Sequence, residues 1–188
     1  IGGMMFGIAA TGLIIYFFAR RKPAIVNRTF GRLQIISSAW FALTHGANDG
    51  QKTMGIIVLI LFSVGLIEEL EMPLWVIFAA AAAMGLGTFF GGYKVIKTLG
   101  VKVTRLKPYQ GFAAETSGGL MLAVFATLGI PASTTHAITG TIMGAGAARR
   151  KRAVRWRVSR QIIFSWVITI PGAAGLGIAF TYIIHLFV

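Results

Sequence analysis

The fold of this sequence is decided by the stretch at residues 33–66, LQIISSAWFALTHGANDGQKTMGIIVLILFSVGL. Both ends are apolar, but Thr44–Thr53 (THGANDGQKT) places two glycines and mostly polar or charged side chains in the middle. As a single helix the stretch would be about 50 Å long, too long for a simple span of a bilayer core about 30 Å thick. We therefore predict a discontinuous helix, in which Gly46 ends the first half and Asn48 or Asp49 caps the second.

The composition of the whole chain places this stretch in a membrane. Of the 188 residues, 56% are hydrophobic and 12% are charged, whereas a soluble domain carries about 25% charged residues. These values exclude a soluble globular domain and predict an all-α polytopic membrane protein. With no cysteine, no catalytic acid pair, no zinc-ligand spacing and no nucleophile elbow, the sequence does not indicate an enzyme or a cofactor.

Apolar stretches divide the chain, which we treat as a single transmembrane domain over residues 1–188. The predicted spans cover residues 1–19, 33–66 with a break at 44–53, 74–92, a hairpin at 110–148 with its tip at 129–135, and 161–188. The hairpin is either re-entrant or made of two complete spans. A polar tip with glycine and proline favours the re-entrant form, because irregular backbone at membrane depth persists only inside protein or beside a cavity.

The cations predict the orientation. Every Lys and Arg except Lys52 lies in one of three basic segments, at 20–32, 94–107 and 149–160, whereas the loop at 67–73 has three glutamates and no cation. The positive-inside rule then places the basic loops in the cytoplasm and the loop at 67–73 outside the cell (plasma or inner) membrane. Because the cations flank spans, the net charge of +13 points to the lipid bilayer and not to nucleic acid.

A second break repeats the arrangement of the first. In Gly129–His136 (GIPASTTH), Gly129 can end one half-helix and Pro131 suits the first position of the next. The hydroxyls of Ser133-Thr134-Thr135 then lie beside free backbone N–H groups, where a helix N-terminus attracts anions such as phosphate. His45 and His136 flank the two breaks, and each is either a hydrogen-bonded packing residue or a proton relay.

Three charged residues fall inside predicted spans: Asp49, Lys52 and Glu115. Such groups are costly at membrane depth and mark ion or substrate paths. Asp49 and Lys52 form either an ion pair that locks helices together or part of such a path. An extra carboxylate would oppose the binding of an anion alone, so Asp49 indicates a co-transported Na⁺ or proton, that is, a symporter.

Three motifs in this order resemble those of the inorganic phosphate transporter (PiT) family. His45–Lys52 (HGANDGQK) looks like the family's GAND signature, and Gln110–Glu115 (QGFAAE) resembles its Gln-Gly-Phe-x-x-Glu segment. Gly129–His136 is similar to its Pro-x-Ser-Thr-Thr-His tip. Family members carry two inverted repeats. The chain matches the C-terminal repeat. We expect it to be part of a longer protein, with the N-terminal repeat and a second copy in a homodimer as partners.

The resemblance implies a secondary transporter that moves inorganic phosphate by symport with Na⁺ or H⁺, with the anion held at two half-helix N-termini. The implied substrate residues are Asn48, Asp49, Gln51, Lys52, Thr53, Ser133, Thr134 and Thr135. The implied coupling-ion residues are Asp49, Glu115, Asn48 and His136, with Na⁺ at Asp49. Lys52 contacts either the anion or Asp49, and Glu115 serves either a cytoplasmic gate or an ion step.

Three other classes of function stay open on the sequence. The substrate could be another oxyanion, arsenate or sulfate, which competition in uptake would reveal. The protein could be an anion channel, which would not depend on a cation gradient. It could also be a non-transporting membrane subunit, which would tolerate substitution of Asp49 and Ser133.

Overall fold

The computed structural model describes residues 1–185, and within that range the chain is helical and has no strand. This confirms the all-α fold that the composition predicts. The helices are α1 (Gly2–Phe18), α2 (Pro23–Ser63), α3 (Leu74–Lys97), α4 (Pro108–Thr127), α5 (Thr134–Ala147) and α6 (Trp156–His185). A π-helical turn, Thr98–Val103, continues α3, and a short 3₁₀ turn, Lys151–Ala153, follows α5.

The chain forms two compact units, one from Ile1 to Val154 and one from Arg155 onward. In the first unit, α2 packs mainly on α4, and α1 packs mainly on α5. The second unit contains α6, a 30-residue helix. The predicted last span, 161–188, corresponds to α6, and its residues 186–188 lie outside the described range.

The predicted break at 44–53 is wrong, because α2 continues through this stretch as one 41-residue helix. The polar side chains find partners without opening the backbone. Thr44 Oγ1 donates to the carbonyl oxygens of Trp40 and Phe41, at 3.2 and 3.0 Å, within the same helix. Glycines such as Gly46 each cost a helix only about 1 kcal/mol relative to alanine, which tertiary packing can offset.

Two consequences follow for the predicted anion site. Neither Asn48 nor Asp49 caps a helix, so the helix N-terminus expected within residues 44–53 is absent. Of the two half-helix N-termini expected around the anion, the structure has only that of α5. Most of the basic segment at 20–32 is helical and not a loop, because α2 begins at Pro23. Proline favours this first position of a helix.

The second predicted interruption is present between α4 and α5. Gly129 adopts a φ of 67°, and the amides of Gly129 and Ile130 donate to the carbonyls of Ala126 and Phe125, which closes α4 in a Schellman motif. Pro131 does not begin the next helix as predicted. Ser133 is the N-cap of α5, and its Oγ accepts a hydrogen bond from the His136 amide at 3.3 Å.

Small residues let α1 and α5 approach closely. A Cβ on Gly7 would collide with the backbone of Thr141, and one on Gly144 would collide with the backbone of Met4. By contrast, a Cβ on Gly12 would meet open space. Such close backbone contact is typical of helix packing in membranes, and it fixes the position of α5, which carries the polar tip.

Two helical segments are long and apolar enough to cross a bilayer, by length and composition: Leu74–Val103 and Trp156–His185. Their most apolar windows have mean hydropathies of 1.8 and 1.9. The 17-residue α1 contains no charged residue but is shorter. Large apolar side chains such as Phe78, Phe89 and Phe90 on α3 are exposed, as expected for a surface that contacts lipid or other protein.

Candidate functional site

The two polar motifs meet between α2 and the start of α5. Thr134 Oγ1 donates to Asp49 Oδ2 at 2.9 Å, across a sequence separation of 85 residues. Lys52 Nζ donates to Asp49 Oδ1 at 3.0 Å and also to the carbonyl oxygen of Ala132, which lies in the turn before α5. Both oxygens of the Asp49 carboxylate therefore have partners, and Lys52 bridges α2 and the tip.

His45 adds a second basic group beside Asp49. One turn earlier on α2, His45 Nε2 lies 3.6 Å from Asp49 Oδ2, a distance that supports an ion pair when the imidazole is protonated. His45 and Lys52 are thus two basic side chains within ion-pair distance of Asp49. The sequence placed His45 next to a break; the structure places it next to a carboxylate.

A small cavity of about 180 Å³ adjoins this cluster. It is lined by Asn48, Gln51 and Lys52 of α2 and by Ala126, Gly129, Ile130 and Pro131 around the turn. Asn48 is buried. Pockets for drug-sized ligands run from about 300 to 1,000 Å³, so this cavity suits a much smaller solute.

Glu115 forms a separate polar cluster with α2. Ser37 Oγ donates to Glu115 Oε2 at 2.6 Å, and Gln34 Nε2 donates to Oε1 at 3.2 Å. Within the described part of the chain, no basic side chain lies within ion-pair distance of Glu115. Sequence reasoning missed Gln34 and Ser37, although their spacing of three residues puts both on one face of a helix.

A larger cavity, of about 460 Å³, joins this second cluster to the neighbourhood of the first. Its walls include Glu115 and Gln34 together with His45 and Thr135. Along the chain, about 20 Å of helix separates Glu115 from the tip. In the structure, one cavity is lined by both Glu115 and Thr135 of the tip. The hydrogen bonds of the Glu115 carboxylate nevertheless come from Gln34 and Ser37 of α2.

Some predicted site residues lie at the margin of these clusters. Thr53 is exposed, and its Oγ1 is 3.4 Å from the Asp49 carbonyl oxygen of its own helix. Gln51 lines the small cavity but is otherwise exposed. Ser133 is occupied as the N-cap of α5, and His136 contributes the backbone N–H that Ser133 accepts. The structure therefore brings together Asn48, Asp49, Lys52 and Thr134 most closely.

The chain is similar to known proteins that are named as phosphate transporters. Residues 7–177 match the model of the "Phosphate transporter family". A relative from Rhizobium meliloti, named "Probable low-affinity inorganic phosphate transporter", is 47% identical over 173 residues, which cover 92% of this chain and 52% of the relative. A Bacillus subtilis relative of the same name is 39% identical over 181 residues, covering 93% and 54%.

A solved structure is also similar. "The sodium-dependent phosphate transporter" superposes with a TM-score of 0.69 at 31% identity, covering 84% of this chain and 41% of that one. The chain thus spans about half the length of the relatives it matches. These proteins are named as transporters and not as enzymes, which agrees with the sequence prediction.

Proposed function

The chain belongs to the phosphate transporter family, and from that premise we propose that it forms half of a secondary transporter that carries inorganic phosphate by symport with Na⁺ or H⁺. The observation that carries the proposal is the contact between the two motifs, in which Asp49, Lys52 and Thr134 meet at the tip before α5. A carboxylate, an ammonium and hydroxyls beside a helix N-terminus supply groups for both an anion and a cation.

The second half of the transporter would come from the rest of a longer chain. Relatives are about twice as long as the matched region, which supports a second, inverted repeat that completes the site. Such a transporter opens alternately to either side by moving one repeat against the other. A homodimer of the whole protein is part of the same proposal.

We place the α4–α5 pair in the membrane as a re-entrant hairpin. The 14 residues of α5 extend only about 21 Å, less than the bilayer core of about 30 Å. Both ends of the pair adjoin basic segments, at 94–107 and 149–160, which the positive-inside rule assigns to the cytoplasm. The loop at 67–73, with its three exposed glutamates, then faces outward in a multi-pass cell-membrane protein.

The continuous α2 is compatible with this orientation. Its first turns carry Arg28 and Arg32 and would extend beyond the core on the cytoplasmic side. Asp49 lies about 25 Å along the helix from Arg32 and about 21 Å from its end at Ser63. That position puts Asp49 close to the middle of the membrane, where transporters of this kind hold substrate.

Phosphate would bind in the small cavity beside Asn48, Gln51 and Lys52, near the hydroxyls of Ser133, Thr134 and Thr135. At neutral pH the anion carries between one and two negative charges, and its transfer from water is costly unless that charge is balanced. With one helix N-terminus in place of two, the Lys52 ammonium becomes the main positive group available to it. The coupling cation would bind at Asp49, with Glu115 as a further cation-binding group.

Uptake of radiolabelled phosphate into proteoliposomes tests the proposal, with the full-length protein that contains this chain. An inward Na⁺ gradient at constant pH is compared with an inward proton gradient without Na⁺. We expect one of the two gradients to drive uptake, and arsenate to compete better than sulfate. A folded protein that shows no gradient-driven uptake would overturn the proposal.

A further inference from the structure

Lys52 occupies a position between the two charges that a symporter must handle. Its ammonium contacts Asp49 Oδ1 at 3.0 Å and the Ala132 carbonyl, and the same side chain lines the small cavity beside Asn48. A carboxylate oxygen and a backbone carbonyl are the ligand types that a hard cation such as Na⁺ prefers. In this structure the Lys52 ammonium occupies the position between these two oxygens where such a cation would bind.

We propose that Lys52 exchanges partners during transport and thereby makes phosphate binding depend on the coupling cation. Without phosphate, Lys52 neutralises Asp49. When phosphate enters the small cavity, the ammonium turns to the anion, and Asp49 then takes up a Na⁺ or a proton in its place. This inference rests on the proposed phosphate symport and names the residue that links its two substrates.

The charge balance of the cluster supports the exchange. The Asp49–Lys52 pair is neutral, so adding phosphate alone leaves one or two negative charges at membrane depth, a large penalty in a low dielectric. Adding a cation together with phosphate restores the balance. Lysine suits this role because its flexible four-carbon stem and three donors let the ammonium reorient without movement of the helix backbone.

The surroundings of Asp49 provide few substitutes for Lys52. His45, at 3.6 Å, is a second basic group within ion-pair distance of Asp49, and it shares the α2 helix. From α5, Thr134 offers a hydroxyl, which adds no charge. Glu115, on α4, is held by Gln34 and Ser37 and forms no ion pair with this cluster. Removal of Lys52 therefore leaves Asp49 open to a free cation before phosphate arrives.

Binding linkage in the purified full-length transporter tests the exchange. The Kd of phosphate is measured at low and high Na⁺, and at two pH values without Na⁺. In the unaltered protein we expect the coupling cation to tighten phosphate binding by about tenfold, because linked ligands share one coupling free energy. In Lys52→Met we expect weaker phosphate binding and the loss of that cation dependence.

Two further variants keep the result unambiguous. Lys52→Arg keeps the charge and should keep the cation dependence, and Lys97→Met removes an exposed cation at the end of α3 and should behave like the unaltered protein. Full cation dependence in a folded Lys52→Met would overturn the exchange but leave the symport intact. If the unaltered protein binds no phosphate, the proposed function fails instead.

A different observation points to a lipid site. A cavity of about 280 Å³ lies where the end of α1, the start of α2, the start of α4 and the end of α5 meet. Three cations from separate segments line it, Arg21, Lys107 and Arg149, and none has an ion-pair partner among the described residues. Its wall is apolar on one side, and it also contains Asn27, whose Oδ1 is buried without a hydrogen-bond donor.

We infer that this cavity binds the headgroup of an anionic phospholipid, of the phosphatidylglycerol type. The lipid phosphate would meet the three cations Arg21, Lys107 and Arg149. The adjoining chain would lie along Ile14, Ile15 and Phe18 of α1. A free anion would satisfy the cations but leave this apolar wall uncovered, which is why we assign a lipid.

Native mass spectrometry of the full-length protein in detergent tests this site, with phosphatidylglycerol and phosphatidylcholine of identical chains. We expect preferential binding of phosphatidylglycerol, weakened about 25-fold in Lys107→Gln with Arg149→Gln, since each cation near a lipid surface contributes about a fivefold factor. Ala19→Trp, which fills the cavity and keeps every charge, should weaken it too. The control Lys102→Gln with Arg105→Gln removes two exposed cations that do not line the cavity.

Three results would overturn the lipid site. Equal binding of the two lipids would show that charge is not recognised. An equal loss in the control variant would show a diffuse surface effect and no built site. Displacement of bound phosphatidylglycerol by millimolar inorganic phosphate would assign the cavity to a soluble anion.

Discussion

Asp49 and Glu115 are the two acidic side chains of the first unit that lie within helices, and the protein treats them differently. Asp49 has an internal cation, since Lys52 lies 3.0 Å from one of its oxygens and His45 lies 3.6 Å from the other. Glu115 has only neutral donors, Ser37 at 2.6 Å and Gln34 at 3.2 Å. One carboxylate is balanced by the protein itself, and the other is merely hydrogen-bonded.

This difference predicts different roles in transport. Asp49 requires an external cation only after its internal partner has turned elsewhere, so its cation binding depends on substrate. The ionised Glu115 lacks an ion-pair partner among residues 1–185, so at membrane depth it attracts a Na⁺ or a proton whether or not phosphate is present.

Asp49→Asn should abolish gradient-driven phosphate uptake, down to the level of empty vesicles. The amide cannot balance a cation, and it leaves the Lys52 ammonium without its counter-charge. Uptake into proteoliposomes measures the effect, and Glu68→Gln, in the exposed loop at 64–73, serves as the control. Normal coupled uptake by Asp49→Asn would show that Asp49 does not bind the coupling cation. The proposed difference in role between Asp49 and Glu115 would then be wrong.

Glu115→Gln should lower uptake by about tenfold and remove part of its dependence on cation concentration, since a lost charge interaction of about 1.4 kcal/mol has that size. The amide keeps the shape of the side chain and can accept one of the two hydrogen bonds, from Ser37 or from Gln34, but not both. Initial rates are measured across a range of Na⁺ and pH, with Glu69→Gln as control. A rate and a cation dependence equal to those of the unaltered protein would make Glu115 a structural residue.

Ser133→Ala combined with Thr134→Ala should raise the phosphate KM several-fold, by up to about tenfold. Loss of the Ser133 N-cap costs about 0.5–2 kcal/mol at the helix terminus that faces the anion, and loss of Thr134 removes the hydrogen bond to Asp49. Thr127→Ala is the control, because Thr127 is exposed at the end of α4 and bonds only to its own helix. An unchanged KM would move the anion away from the tip.

Ser37→Ala should have the smallest effect, a shift of about threefold to tenfold in the cation concentration that gives half-maximal uptake. A hydrogen bond to a charged group contributes about 1.5–3 kcal/mol when intact, part of which Gln34 would still supply. Ser38→Ala is the matched control, since the Ser38 hydroxyl is exposed and donates to Ile35 of its own helix. If both variants behave alike, Ser37 does not tune Glu115.

Much of the candidate site could be predicted from the sequence. Ionisable residues are so costly in a membrane that Asp49, Lys52 and Glu115 stood out by position alone. The turn at Gly129 was also readable, because a Schellman ending favours glycine and the next helix needs an N-cap such as Ser133. Local chemistry and the cost of burying charge determined these features.

The error over α2 shows where this reasoning stops. The run Thr44–Thr53 suggested a break because it places two glycines and mostly polar or charged side chains inside an apolar stretch that is too long for one simple span. Asp49 finds a partner in Thr134, 85 residues away, and Lys52 finds one in Ala132, 80 residues away, so the helix has no need to open. No local pattern contains such contacts.

The sequence by itself determined that this is a helical membrane protein, where its polar groups lie along the chain, and which known family it resembles. Only the tertiary structure decided which polar groups face one another. It paired Glu115 with Gln34 and Ser37, and it brought Thr134 to Asp49 and the Ala132 carbonyl to Lys52. The physical reason is that hydropathy and capping act within a few residues, whereas the partner of a buried charge is chosen by helix packing across the whole fold.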